Sequence, residues 1–149
     1  MILKVYNYKN ALDFINKSLI DDFCSHLKSI DEESTLKEIK LSIRDLCEKK
    51  GFINRYQLFY GTRMQIFSYS DEMSLAVCNQ TGHFGLSYYD LCKLESLYIR
   101  KLINAAIYIC PTKQSKYVKS NATTTDKLLE DLTYFDKIFN IPIYFIGVE

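Results

Sequence analysis

The sequence predicts an α/β domain in which a mixed sheet is flanked by helices. Three apolar segments, 75–78, 105–110 and 141–148, alternate with two amphipathic ones. The last two apolar runs are almost unbroken, which is typical of parallel strands buried on both faces. A length of 149 residues fits one domain, 1–149. The 105–148 unit is also long enough for a right-handed parallel crossover.

The amino-terminal part predicts a short edge strand and two helices. Residues 2–6 alternate weakly between apolar and polar side chains, which favours a strand. Apolar side chains recur at helical spacing over 17–30 and again after Thr35. Thr35 and Glu38 match a capping box, in which each side chain accepts a hydrogen bond from the other residue's backbone N–H. The sequence Lys-Lys-Gly at 49–51 marks the end of the second helix.

The rest of the chain predicts a hairpin and two further helices. Aromatic and β-branched residues favour strands at 56–60 and 64–69, joined by a turn at Gly61–Thr62. One helix is predicted from about Ser87 onwards. Another is predicted over about 125–139, and its first turn carries an acid that suits the helix dipole.

Composition and charge exclude several classes of protein. The formal net charge is +1, which argues against nucleic-acid binding by bulk charge, although a local basic patch is compatible with it. The five cysteines include no Cys-x-x-Cys and lie in apolar segments, so we expect free thiols and a reducing, cytoplasmic setting. We expect no transmembrane helix, because no apolar run approaches about 18 residues. The amino terminus does not fit a signal peptide.

The order of these elements resembles the BglII/BamHI-type restriction endonucleases, a branch of the PD-(D/E)xK nuclease fold. The opening 1–30 resembles their first strand and helix, and Leu75–Asn79 resembles their metal-binding strand. Residues 105–112 resemble the next core strand, and 141–148, with its Pro-Ile and Gly-Val pattern, the last one. The resemblance covers nearly the whole chain and implies a restriction-endonuclease-like core. The family's enzymes continue into a DNA-embracing subdomain, and we expect that this chain, which ends at Glu149, lacks it.

The resemblance also implies where the catalytic residues of the family fall. Such enzymes hold one or two Mg²⁺ ions with two or three acids, so that the metal activates water and stabilises the leaving oxygen. The corresponding positions here are Ser68, Val77 and Asn79, and none carries a carboxylate. A hydroxyl and an amide cannot replace two carboxylates. The resemblance therefore implies no metal site, no cofactor and no cleavage by the family mechanism.

A different register of the metal-binding strand leaves an alternative open. Asp71 and Glu72 lie close by in the polar sequence 70–73, where solvated turn carboxylates are the simpler interpretation. Lys93 and Glu95 on the following helix are predicted to be surface charges. In the alternative, Asp71, Glu72 or Glu95 serves an active Mg²⁺-dependent endodeoxyribonuclease.

Two polar segments are candidates for contacts with nucleic acid. The loop 112–124 belongs to a stretch in which four basic residues fall within 113–127, next to a helix amino terminus that favours phosphate. In the family this loop reaches the major groove, and the segment after the metal-binding strand approaches the bases. Ordinary surface loops are the alternative for both. The candidates are Lys113, Lys116, Lys119, Ser120, Asn121, Gln80, Thr81 and His83.

Three functions are compatible with these features. The first is an inactive relative that binds double-stranded DNA or a protein partner as a regulator or decoy, and the second is the active nuclease. The third is a purely protein-binding module, which the near-neutral charge favours. The family also implies a homodimer, for which Tyr88, Tyr89 and Tyr98 would supply aromatic anchors unless they pack in the core.

Overall fold

The computed structural model describes residues 1–149 and confirms the α/β architecture with a mixed sheet. The strands are β1 (Leu3–Tyr8), β2 (Ile53–Gln57), β3 (Gln65–Ser70), β4 (Leu75–Asn79), β5 (Ala105–Pro111) and β6 (Ile143–Val148). The helices are α1 (Lys17–Ser29), α2 (Leu36–Lys49), α3 (Phe84–Ile99) and α4 (Thr125–Tyr134), with a 3₁₀ helix at Ala11–Asp13. The six strands form one sheet in the order β1-β6-β5-β4-β3-β2.

The centre of the sheet is parallel and its margins are antiparallel. β4, β5 and β6 pair in parallel, whereas β1, β3 and β2 join as antiparallel strands. Every residue of β5 and β6 is buried, as their apolar runs predict. β1 lies at one edge of the sheet, which confirms the edge strand predicted over residues 2–6.

Helices cover both faces of the sheet. On one face α1 and α2 bury Phe23 and Ile43 against Val77 and other sheet residues. On the opposite face α3 and α4 pack against a second cluster, which includes Tyr108 and Phe145. Because alternate residues of a strand point to opposite faces, Val77 and Asn79 face the α2 side while Cys78 faces α3.

Several local predictions are confirmed. Thr35 and Glu38 form both halves of the capping box at the start of α2. Gly51 follows the helix with φ 83°, a left-handed conformation that glycine adopts without a steric penalty. All five cysteines are free, although Cys92 is exposed and does not act as a core residue. None of the helices is both long and apolar enough to cross a membrane.

The predicted hairpin is displaced along the chain. β2 begins at Ile53 and ends at Gln57, so it does not extend to residue 60. Residues 58–64 form a wide connection, in which the Leu58 N–H donates to the Met64 carbonyl at 2.9 Å. The aromatic residues there predict a strand by propensity alone, but the turn removes them from the ladder.

Two helix boundaries also differ from the prediction. α3 begins at Phe84 rather than Ser87, because His83 Nδ1 accepts the Gly85 N–H at 3.0 Å and caps the helix. α4 ends at Tyr134 rather than 139, where the Phe135 N–H closes the last turn on the Asp131 carbonyl.

Candidate functional site

The three positions that the resemblance equates with the family's metal site lie together on β3 and β4. Ser68 pairs directly with Val77, and Asn79 follows two residues later on the same face. Ser68 and Val77 are fully buried. The Ser68 hydroxyl donates to Asn54 Oδ1 at 2.5 Å, and the Asn54 amide donates to the Arg44 carbonyl at 3.0 Å. Val77 is therefore held by core packing, and Ser68 is held by its hydrogen bond to Asn54.

Asp71 and Glu72 lie at the other end of β4 from Asn79. Both are exposed in the turn between β3 and β4, at the amino end of β4. Four steps along a strand span about 13 Å, so these carboxylates do not converge on Asn79. Asp71 accepts a hydrogen bond from the Tyr69 hydroxyl at 2.9 Å. Burial and this carboxylate raise the pKa of Tyr69 to about 12, which keeps the hydroxyl a donor at neutral pH.

The prediction that Glu95 is a surface charge is wrong. Its side chain is 7% exposed, and Oε2 accepts the backbone N–H groups of Asn140 and Ile141 at 2.8 and 2.9 Å. The carboxylate thereby fixes the entry to β6, and burial is tolerated because the charge is hydrogen-bonded. A stretch 45 residues further along the chain supplies the partners, which helical periodicity cannot reveal.

Lys93 is buried as well, in contrast to the prediction. The residue is 9% exposed. Its Nζ lies 2.6 Å from Asp90 Oδ1 and donates to the Gln65 carbonyl at 2.8 Å. The other Asp90 oxygen accepts from Gln80 Nε2 at 2.7 Å. Asp90 is thus the one carboxylate close to Asn79, and its charge is already balanced by Lys93.

The residues around Asn79 do not fit a divalent metal ion. Mg²⁺ takes oxygen ligands in octahedral geometry, normally including carboxylates. Nowhere in the chain do three or more His, Cys, Asp or Glu side chains converge as a metal-binding group. The single carboxylate near Asn79 is engaged by an ammonium group. No hydrolytic step through a metal can therefore be built on these residues.

Cations instead surround Asn79. A cavity of about 270 Å³ has Asn79 and Asp90 in its lining together with Lys40, Arg44 and Arg55. We call it the cation cavity. Burial lowers the pKa of Lys40, and the charges of Arg44 and Arg55 lower it further. Burial likewise lowers the pKa of Arg44, with Arg55 adding to the effect. The three cations are therefore close enough to repel one another.

The sequence patterns do not single out these cations. The three basic residues come from α2 and β2, which are separated along the chain from β4. One local signal exists, because Lys40 and Arg44 are spaced i, i+4 on α2, where like charges destabilise a helix. Asp90 was also missed, since it sits among apolar residues of α3.

The two candidate nucleic-acid segments come together in space. His83 and Ala122 form an isolated β-bridge, the Phe84 N–H donates to the Asn121 carbonyl at 2.8 Å, and the Thr123 N–H donates to the Gly82 carbonyl at 3.0 Å. A second cavity, of about 250 Å³, lies between the segments, and we call it the loop cavity. Its polar lining includes Thr81, His83, Lys119, Ser120 and Asn121. Gln80 instead lines the cation cavity.

The lysines near the loop are not equivalent. Lys113 and Lys119 are exposed and form no ion pair. Lys116 Nζ donates to the Glu32 carbonyl, so this side chain is partly engaged. Lys127, which adds to the basic character of the sequence, lies 3.3 Å from Asp131. Lys113 and Lys119 are thus the charges most available to a phosphate.

The aromatic anchors expected on α3 lie mostly inward. The Tyr88 ring packs edge-on against Phe84, with ring centroids 4.9 Å apart, and its hydroxyl donates to Asp131. Tyr98 packs against the core beneath α3. Tyr89 is exposed, and Lys93 Nζ lies 4.7 Å from its ring centroid. Core packing therefore accounts for two of the three tyrosines.

Comparisons with known proteins agree with the fold. The family model described as restriction endonuclease BglII/BglIII matches residues 3–148. The crystal structure of restriction endonuclease BglII complexed with a DNA 16-mer is similar, with a TM-score of 0.84 at 13% identity over 99% of this chain and 76% of that chain. The crystal structure of free BglII gives a TM-score of 0.70 at 16% identity over 100% and 80% of the two chains. Among curated proteins, none shows significant similarity.

Proposed function

Because this chain belongs to the BglII/BglIII restriction endonuclease family, we propose that it binds double-stranded DNA without cleaving it. In this role it acts as a regulator or decoy and needs no metal. The observation that carries the proposal is the chemistry at Ser68, Val77 and Asn79. They lie together on β3 and β4, yet supply no carboxylate.

The surroundings of these residues also argue against cleavage. A phosphodiesterase of this family type needs a metal to activate water and to stabilise the leaving oxygen. Lys40, Arg44 and Arg55 beside Asn79 would repel a divalent cation. Asp71 and Glu72, the acids of the alternative register, are exposed in a turn at the far end of β4.

DNA is the favoured partner because of the fold and the loop cavity. The similar BglII structure is a complex with a DNA 16-mer. In this chain the loop cavity is lined by residues of two segments, 81–83 and 117–122, that meet at one surface. Lys119 would contact a phosphate, whereas Ser120, Asn121 and His83 carry groups that hydrogen-bond base edges.

Binding to duplex DNA will weaken steeply with salt if the loop lysines contact phosphates. Each phosphate contact contributes about 0.9 to the slope of log K against log salt concentration, because contacts release counterions. Replacing Lys113, Lys116 and Lys119 together by Ala should reduce that slope by up to about 2.7. Fluorescence anisotropy on a labelled duplex over a salt series measures this change.

A matched control separates the loop from general charge. Lys17→Ala, Lys28→Ala and Lys137→Ala remove the same charge from three exposed lysines outside the loop, and should leave the slope nearly unchanged. No binding by the unaltered protein at low salt would refute the DNA proposal. Binding that the loop variant and the control variant weaken equally would place the surface elsewhere, with Gln80 to His83 the next segment to alter.

A homodimer is a further expectation that comes from the family. Tyr89 on α3 is exposed beside Leu86, and aromatic side chains of this kind serve as interface anchors. Light scattering at tens of micromolar protein should give twice the monomer mass of 17.5 kDa. Tyr89→Ala combined with Leu86→Ala should shift the mass towards the monomer. A monomer mass for the unaltered protein would contradict the expectation.

A protein partner is the second candidate function. It is favoured by the exposed side chains of Ile99 and Ile138, which line one open surface cavity, since apolar patches mark interaction surfaces. It would take the place of the DNA proposal if the unaltered protein fails to bind duplex DNA.

A further inference from the structure

The cation cavity is lined by three basic side chains and a single carboxylate. Lys40, Arg44 and Arg55 form no ion pair, because the ion pairs of the structure involve other residues. The single carboxylate in the lining, Asp90, is already paired with Lys93 at 2.6 Å. Unpaired like charges around one cavity cost free energy, and a bound anion would offset that cost.

Two of the residues that line the cavity carry a buried donor without an acceptor. Asn79 is 8% exposed, and its Nδ2 has no hydrogen-bond partner. The Arg44 Nε is also buried without a partner. Buried donors are nearly always paired in native proteins, so unpaired ones that line a cavity point to a missing acceptor. Because both groups donate, the missing ligand is an acceptor and not a metal ion.

The backbone brings the third cation to the cavity in an unusual conformation. Arg55 lies within β2 at φ 54°, in the left-handed region that residues with a Cβ rarely adopt. Such conformations persist only where the surrounding structure enforces them. Arg55 joins Lys40 and Arg44 in one lining.

We propose that the cation cavity binds a phosphate-type oxyanion through Lys40, Arg44, Arg55 and the Asn79 amide, without a metal ion. Guanidinium groups match the oxygens of a phosphate with paired N–H donors, and a lysine adds a point charge. The phosphate comes either free, as inorganic phosphate or a phosphate monoester, or as a phosphodiester of a nucleic acid. The site does not depend on the loop lysines, since none of them lines this cavity.

Thermal unfolding with increasing inorganic phosphate tests the site directly. We expect a saturable rise in the melting temperature of the unaltered protein, because a ligand that binds only the folded state stabilises it. In the double variant Lys40→Gln with Arg55→Gln, affinity should fall roughly 10-fold or more, so that the same rise needs at least about 10-fold more phosphate. Without phosphate this variant should melt at the same or a higher temperature, because charge repulsion has been removed.

A control variant and a nucleic-acid arm complete the experiment. Lys37→Gln with Arg63→Gln removes two exposed charges outside the cavity, and should keep the full response to phosphate. If only the cavity variant, and not this control, weakens binding to duplex DNA while free phosphate has no specific effect, the ligand is a nucleic-acid phosphate. Equal shifts with phosphate in all three proteins, together with equal DNA affinity, would overturn the proposal.

The result also separates this site from the proposed function. Failure of the phosphate site leaves the salt dependence of the loop variant unaffected, since the two sets of residues do not overlap. Failure of DNA binding leaves the response to free phosphate as an independent measurement.

Discussion

Replacing Val77 by Glu will lower the free energy of unfolding by about 3–5 kcal/mol, because an unpaired carboxylate would be buried in an apolar core. Val77 is fully buried between the sheet and the helices α1 and α2. Its cross-strand partner Ser68 is also buried and already hydrogen-bonded to Asn54 at 2.5 Å. The new charge would therefore be buried among side chains that do not neutralise it in the unaltered protein. Urea denaturation followed by circular dichroism measures the loss.

Val5→Glu provides the matched control for this change. Val5 lies on the edge strand β1 and is 47% exposed, so the same substitution should alter stability by no more than about 0.5 kcal/mol. Equal stabilities of the two variants would contradict the burial of position 77. That result would mean that position 77 is open to solvent and that a metal-binding carboxylate fits there.

Replacing Glu95 by Ala will cost about 2–3 kcal/mol of stability rather than abolish a catalytic activity. The Glu95 carboxylate accepts the N–H of Ile141, which is fully buried at the entry to β6, and that of Asn140. A buried N–H that loses its acceptor costs about 1–3 kcal/mol, and bonds to a charged group are at the strong end.

Two further variants sharpen the result for Glu95. Glu95→Gln keeps one acceptor oxygen and should cost less than Glu95→Ala. Glu48→Ala removes an exposed carboxylate from α2 and should change stability by no more than about 0.5 kcal/mol. An unchanged unfolding midpoint for Glu95→Ala would contradict a structural role. It would return Glu95 to the acids available to an active nuclease.

Local signals in the sequence predict the framework of the fold well. The unbroken apolar runs of β5 and β6 predict buried parallel strands, and the structure buries every residue of both. The capping box of Thr35 and Glu38 also predicts the start of α2 correctly. These features succeed because propensity, capping and periodicity act over a few neighbouring residues.

Features that depend on distant partners are not visible in the same way. The sequence predicts that Lys93 and Glu95 are surface charges, because it does not show their distant partners. Lys93 bonds to Gln65, and Glu95 bonds to the segment 140–141. The early start of α3 depends on the His83 ring as a cap, although Gly82 and Gly85 favour a loop by composition. The cation cavity draws on α2, β2 and β4, so no sequence window contains it.

The side chains around the candidate site carry a charge opposite to that of the acids in a metal site. A metal site gathers acids around a cation, whereas this chain gathers Lys40, Arg44 and Arg55 around Asn79. The positions that would carry the acids pack into the core or face this cavity. A basic lining favours phosphate recognition, whereas metal-dependent hydrolysis needs acids that these three positions do not supply.

Incubation of supercoiled plasmid DNA with the purified protein and Mg²⁺ or Mn²⁺ tests whether the protein binds DNA without cleaving it. We expect the plasmid to stay supercoiled at protein concentrations at which duplex DNA is bound. Nicked or linear product that requires the metal, and that Asp71→Ala or Asp90→Ala abolishes, would contradict it. Such a result would show that the chain is an active nuclease with a different set of acids.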